Sequence, residues 1–424
     1  MNKKVYNNYS GTSGDAGIAW GELLFSTVFM LPIVTGFLAE IMNLFDLSFP
    51  TGISYVIIYA FAFASWIFSL IKSPGTTIVI LFISLFAILF SYLVTPEINT
   101  YIFNFGNGGI YELGQNTLIA FYGLCLPSFA LCFCGMSFEK IYRYVYKYGL
   151  ITSLLFILLM ILQIFFISKK LNYMTVAYNS LPGIAIMFFD SKETHRMKST
   201  LACIFGFAGI LLGGCRGALL TLTVLIVLWE IHSLKNITPI KLFILIIGLI
   251  LIVLFLNDLN SIAVNIDNFL NKFGYSSRIV EKFLGTSADG DFFIYSDREA
   301  IQQVVINKLG FWAHGLYADR IITDGSYPHN FILEILYQFG YLFGIPLLLI
   351  FIRFLFASYK AAKAVKGNFP IFSWVLFLCT VCVKLMLSAS YLTDRPFWAL
   401  LGLSCIALTN KNEIKDISND EKII

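Results

Sequence analysis

Long apolar runs follow one another along most of the chain, separated by short polar connectors. They lie over residues 18–40, 52–71, 76–95, 117–138, 148–168, 173–189, 199–214, 217–232, 240–257, 331–357, 370–391 and 396–409. Most are near the ~20 residues that an α-helix needs to cross a bilayer. Backbone polar groups have no water to bond in hydrocarbon, so runs of this length predict helices that satisfy themselves internally. The pattern predicts an all-α polytopic membrane protein of about twelve transmembrane helices. Three stretches stand outside it: a polar tail over 1–17, a long loop over 258–330, and a second tail over 410–424. The sixth run carries Pro182-Gly183, a candidate helix break.

Composition agrees with this pattern. Of the 424 residues 58% are hydrophobic and 13% charged, whereas a soluble domain carries roughly 25% charged residues. Soluble enzymes, disordered chains and secreted disulfide scaffolds are excluded. The net charge of +4 matters less than where the charges lie. With the N-terminus inside, 18 Lys and Arg residues fall on the cytoplasmic side and four in short outer loops. That bias follows the positive-inside rule and predicts two cytoplasmic termini with the 258–330 loop outside, periplasmic if the host has two membranes. The eight cysteines all lie in or beside apolar runs. Cys379 and Cys382 form a C-x-x-C with no second pair and no nearby His, so buried small hydrophobes are expected there and no metal or cofactor.

The long loop reads as structured. Ser296-Asp297-Arg298-Glu299 matches a capping box, and Ile301, Val304 and Val305 follow at helical spacing. Arg298 falls in the first turn, where free backbone N–H groups and a guanidinium favour phosphate. Upstream, SSRIVEKFLG predicts a short helix with Arg278 and Lys282 one turn apart. Further polar residues gather at the outer membrane edge. Arg216 sits in GGCRGALL between two runs, either as a snorkelling side chain or as a ligand for an anion. His329 precedes Asn330, a plausible N-cap for the tenth span, and is either a structural ring or a base whose neutral form is favoured by nearby cations. Lys384 is the one basic residue inside a run, and Glu334 lies one turn below His329, able to orient it or to pair with Lys384. Basic groups around one potential base, with no nucleotide or metal motif, suggest an anionic, lipid-attached substrate already activated for transfer.

Four segments of the chain resemble the superfamily of O-antigen polymerases (Wzy-type) and O-antigen ligases, which are membrane glycosyltransferases. GGCRGALLTL is similar to the family's Arg-Gly segment opening a span, and SDREAIQQVVINKLGFWAHG to its outer-loop Arg helix. SYPHNFILEILYQFGYLFGIPLLL is similar to its His-Asn segment leading into a helix, and YMTVAYNSLPGIAI to a middle span. The likeness covers about the last 250 residues; Cys215 stands where Ser is usual, and Arg278 and Lys384 have no family counterpart. The resemblance implies a GT-C-like bundle with one long structured periplasmic loop. It implies a donor glycan on undecaprenyl diphosphate, with Arg216 and Arg298 binding the diphosphate and His329 as the catalytic His. Asn330 and Glu334 would support it, and no cofactor is needed.

The implied reaction has a sugar hydroxyl of the acceptor attack the anomeric carbon while undecaprenyl diphosphate leaves. Phe292, Phe293, Tyr295, Trp312 and Tyr327 are candidates for stacking on sugars. Polymerisation of lipid-linked O-antigen or capsular repeats, with membrane lipids and a chain-length regulator protein as partners, is the first expectation. Ligation of glycan to lipid A core is the alternative, and a lipid-oligosaccharide flippase the reading from another class.

Overall fold

The computed structural model describes residues 19–98, 117–165, 173–212, 215–233 and 297–420, together with Asn268. Among them there is helix and no strand. The described residues of every predicted run fall mostly on helix, and 240–257 lies outside the described residues. In chain order these are α1 (Trp20–Leu44), α2 (Thr51–Lys72) and α3 (Pro74–Val94). Next come α4 (Thr117–Ala120, a π-helical turn Phe121–Cys125, then Leu126–Leu131), α5 (Phe138–Phe165), α6 (Tyr173–Thr194), α7 (Met197–Leu212) and α8 (Arg216–Ser233). Two short helices, α9 (Asp297–Asn307) and α10 (Ala318–Ile322), belong to the long loop. The chain ends with α11 (Phe331–Ala364), α12 (Phe369–Cys379, a π-helical turn Thr380–Lys384, then Leu385–Leu387) and α13 (Arg395–Asp420). Helix α13 runs on through residues expected to form a tail. Six of the described helices are long and apolar enough to cross a membrane, and the chain is a helical membrane protein.

Lipid is as apolar as leucine, so helices in a bilayer associate through close packing more than through burial from water. Small residues provide it here. Gly149 and Gly183 bring α5 and α6 together, and a Cβ on Gly183 would lie 2.3 Å from the Thr152 hydroxyl. Helix α6 continues through Pro182-Gly183; the glycine serves the α5 contact and the expected break does not form. Gly206 of α7 packs on Ile184 in the same way. The opposite half is held by aromatic rings, with Phe331, Phe351, Phe377 and Phe397 of α11, α12 and α13 in mutual contact. By contrast α3 presents Phe82, Phe86 and Leu93 outward, an apolar surface suited to lipid.

The two ends of the bundle are distinct. At one, Ser137 N donates to Glu22 (3.0 Å) and Asn368 to Glu193 (2.9 Å). At the other, Thr95 donates to the His314 carbonyl (2.6 Å) and Leu316 N to Ser91 (2.6 Å).

Candidate functional site

The turn before α11 places His329. Asn330 is an extended N-cap whose Oδ1 accepts from Ile332 N (3.0 Å) and Leu333 N (3.2 Å), as its position suggested. The residue before the cap, His329, has a left-handed backbone at φ 50°, a conformation that costs a non-glycine residue on the order of 1–3 kcal/mol. The imidazole packs tilted against Tyr327, ring centroids 4.2 Å apart and planes 45° from parallel, and the Tyr327 hydroxyl donates to the Ser388 carbonyl (2.8 Å). The Tyr327 ring thus packs against His329 and lies beside Arg320. His329 Nδ1 is buried and has no hydrogen-bond partner among the described residues. Burial first, then the cations of Arg298 and Arg320, push the ring down to a pKa of about 4. The imidazole is neutral across physiological pH and holds one nitrogen lone pair available to accept a proton.

Arg298 reaches the same place from α9. Its guanidinium donates to the Leu387 carbonyl (2.8 Å) and lies 3.9 Å from Met174 Sδ of α6. Val305, on the same face, is fully buried, whereas Val304 is turned outward. Helix α8 begins at Arg216, as the Gly-rich segment predicted, and its first turn packs tightly: a Cβ on Gly217 would stand 1.9 Å from the Tyr178 hydroxyl and 3.8 Å from Leu387. Three remote segments therefore converge on the stretch around Leu387 and Ser388: the start of α8, the first turn of α9 and the turn carrying His329.

That stretch is shaped by the end of α12. The helix widens into a π turn at Thr380–Lys384 and ceases after Leu387; such turns mark functional sites often. Lys384 is buried and ion-paired with Asp394, whose other oxygen accepts from Phe397 N (3.1 Å) at the start of α13. The Lys384 charge is matched by a buried carboxylate, and the pair ties α12 to α13. It does not meet Glu334.

Glu334 is fully buried in a different network. It accepts from Ser390 Oγ, and lies 3.5 Å from Arg320 NH1 and from Gln338 Nε2. Asp319 shares the same cation, Arg320 NH1 to Oδ2 at 2.7 Å, and accepts from Gln338 (2.7 Å). Tyr391 donates to Gln338 (2.6 Å) and Arg320 NH2 to Ser390 (2.9 Å). Two carboxyl groups thus share one guanidinium in a site sealed from water. Burial pushes the Asp319 carboxyl up, against the pull of Arg320 and Gln338. Arg320 is also flanked by the rings of Tyr317 and Tyr327, 5.1 and 5.6 Å from their centroids. Tyr327 therefore stands between Arg320 and His329.

Of the residues singled out in the sequence, the structure brings Arg298, His329 and the Arg216 end of α8 to one region, with Asn330 as the cap. Glu334 is a neighbour through Arg320, and Lys384 is satisfied elsewhere. Arg278, Phe292, Phe293 and Tyr295 lie outside the described residues. Asp319, Arg320 and Gln338 were missed. Their signals were present: an acid-base dipeptide in YADRII, and a Gln one turn from Glu334 inside an apolar run. The other loop histidine, His314, is structural, bonded to the Tyr337 carbonyl (2.9 Å) and stacked on its ring (4.4 Å). Of the C-x-x-C, Cys379 is buried as expected but Cys382 is exposed on the side of α12. Among the described residues no group of His, Cys, Asp and Glu has a metal-binding arrangement.

No protein-family model matches the chain. Comparison with curated proteins and with solved structures likewise gives no match.

Proposed function

We propose that this membrane protein is a glycosyltransferase of the O-antigen polymerase type. It extends lipid-linked oligosaccharide repeats by moving the growing glycan from undecaprenyl diphosphate to a sugar hydroxyl of the next lipid-linked repeat. In this reading the bundle is GT-C-like with about twelve spans, and the site faces the periplasm across a bacterial inner membrane. The observation that carries it is the meeting of Arg298, the Arg216 end of α8 and a neutral, part-buried His329 around Leu387 and Ser388.

The chemistry asks for two things. A diphosphate leaving group gains negative charge as the glycosidic bond breaks, and guanidinium groups stabilise it through charge-assisted, two-pronged contacts that an ammonium cannot copy. The attacking hydroxyl must lose a proton, and a ring held neutral by desolvation and by two neighbouring cations can take it. Arg298 serves both ends, as a diphosphate ligand and as one of the two cations that keep the ring unprotonated. Arg320, locked by Asp319, Glu334 and Ser390, holds Tyr327 and so the imidazole, as a positioning residue. Polymerase is preferred to ligase because the likeness rests on loosely kept motifs in an aromatic-rich chain. Nothing in α6 favours the flippase reading, since Pro182-Gly183 leaves that helix unbroken.

The test is reconstitution of the purified protein in liposomes with a lipid-linked repeat unit and no nucleotide or metal. Longer products are expected from the wild type, and no products from Arg216→Lys although charge is kept. Unchanged product length with the wild type removes the polymerase reading, and full activity of Arg216→Lys removes two-pronged diphosphate binding.

A further inference from the structure

Helix α11 is too long for the membrane it crosses. Its 34 residues extend about 51 Å at ~1.5 Å per residue, against a hydrocarbon core of ~30 Å. It is not continuous either. Gly340 has φ 63° and ψ 173°, far from helical values, a conformation open to glycine and strained for other residues. Residues 341–364 form a segment of about 36 Å, enough to span with modest tilt. The piece before the break is different in character, since it carries buried Glu334 and Gln338.

The break is filled by the loop after α9. Tyr341 N donates to the Gly310 carbonyl (2.9 Å) and Leu342 N to the Phe311 carbonyl (3.1 Å). On the other side of the break, His314 N and Gly315 N both donate to the Gln338 carbonyl, at 3.1 and 2.9 Å. Backbone groups freed by the kink are therefore satisfied by the loop, as they must be near hydrocarbon. The fit leaves no room for a side chain: a Cβ on Gly340 would stand 2.4 Å from the Trp312 backbone. This docking pushes two large rings outward. Phe311 is 55% exposed and Trp312 70%, packed edge to face at 5.2 Å. They stand beside Tyr341 and Phe343 of α11, themselves exposed and continuous with the apolar flank that runs on through Leu349, Ile350 and Phe356.

We infer that the Phe311–Trp312 finger is seated in the headgroup layer of the leaflet on the candidate-site side, so that the Gly340 break marks the edge of the hydrocarbon. Indole and phenol rings favour that layer, where one face is apolar and the polar tip stays wet. A pair of rings this exposed has no other apolar cover among the described residues, while the flank it extends is the one that meets lipid. The consequence is that residues 331–339, with the Asp319–Arg320–Glu334 network, stand beyond the hydrocarbon on the outer side of the break. That is the depth at which the phosphates of a lipid substrate lie. The inference rests on α11 and its loop alone, and holds whatever the protein transfers.

The experiment reads the depth of Trp312 in nanodiscs. Emission of the wild type minus that of Trp312→Phe, which keeps an aromatic ring, isolates its contribution from the other five tryptophans. Phosphatidylcholine brominated near the headgroup should quench most of that difference signal, and deep-brominated lipid and aqueous iodide should each quench it less. Strong iodide quenching with no effect of either bromolipid would overturn the inference by placing the finger in water. Stronger quenching by the deep-brominated lipid would overturn it too, by placing the break within the hydrocarbon.

Discussion

Both ends of α6 stand beside a buried cluster of charge, and the two clusters use similar groups to different effect. Near its C-terminal end Asp190 is fully buried and accepts from Tyr142 (2.5 Å), Thr194 (2.9 Å) and Ser199 (2.5 Å), with Arg196 at 3.6 Å. One carboxylate thus meets three hydroxyls and a half-exposed cation, and joins α5, α6 and the start of α7. Near the other end two carboxyl groups share Arg320, and the adjoining turn holds a left-handed His329 with an unpartnered ring nitrogen. The first cluster has the hydrogen bonds of its carboxylate made, and its turn also carries a left-handed residue, His195 at φ 53°. The second leaves His329 Nδ1 and one Glu334 oxygen without a partner among the described residues. Satisfied polar clusters fix a fold, while strained and under-satisfied ones gather where a ligand completes them.

Substitutions at the two ends should separate along the same line. His329→Ala should lower turnover by about 10²–10⁴-fold, the usual range for losing a general base, with the protein still inserted; a normal product ladder from this variant would remove the catalytic assignment. Arg298→Lys should cost about 10²-fold or more, because one ammonium cannot replace a two-pronged contact. It is measured as kcat/KM with lipid-linked substrate. Asp190→Asn should do the reverse, leaving turnover within a few-fold while thermal stability falls by about 1–3 kcal/mol as charge-assisted bonds are lost. A larger effect on turnover than on stability would erase the contrast between the ends.

A smaller effect concerns pH. Folded His329 titrates near 4 and an unfolded His near 6.5, so between these values the unfolded chain binds more protons. Stability should therefore rise with pH across that window and level off above it. His329→Gln should flatten this dependence, read from melting temperatures. The acid limb of activity should lie near pH 4. Arg320→Gln should move it upward, since a cation that disfavours the imidazolium is gone while Asp319 and Glu334 remain. An unmoved limb would separate Arg320 from His329.

Much of the architecture is legible in the sequence because membrane helices need a simple signal. The long runs, the Asn330 cap, the α9 helix carrying Arg298 and the start of α8 at Arg216 depend on local pattern, capping chemistry or glycine content. Other features depend on partners distant in the chain. Lys384 looked like an uncompensated charge until Asp394, ten residues on, folded back against it. Pro182-Gly183 looked like a break, but a proline within a packed helix is tolerated and the glycine served contact with α5. Gly340 looked like an ordinary residue of a long span, and only the loop from Gly310 to Gly315 reveals why the helix stops and restarts there.

Periodicity and composition thus determined that the chain lies in a membrane, where most helices begin and end, and which polar residues are out of place in apolar surroundings. The tertiary structure decided how those residues share their charges: Arg320 between two carboxyl groups, Lys384 with Asp394, and His329 against Tyr327 with one nitrogen unbonded. The reason is that a hydropathy pattern reports the solvent each residue prefers, a property of one side chain at a time. The charge and hydrogen-bond state of a buried group is set by whichever atoms lie within a few ångströms, and those come from segments that only folding brings together.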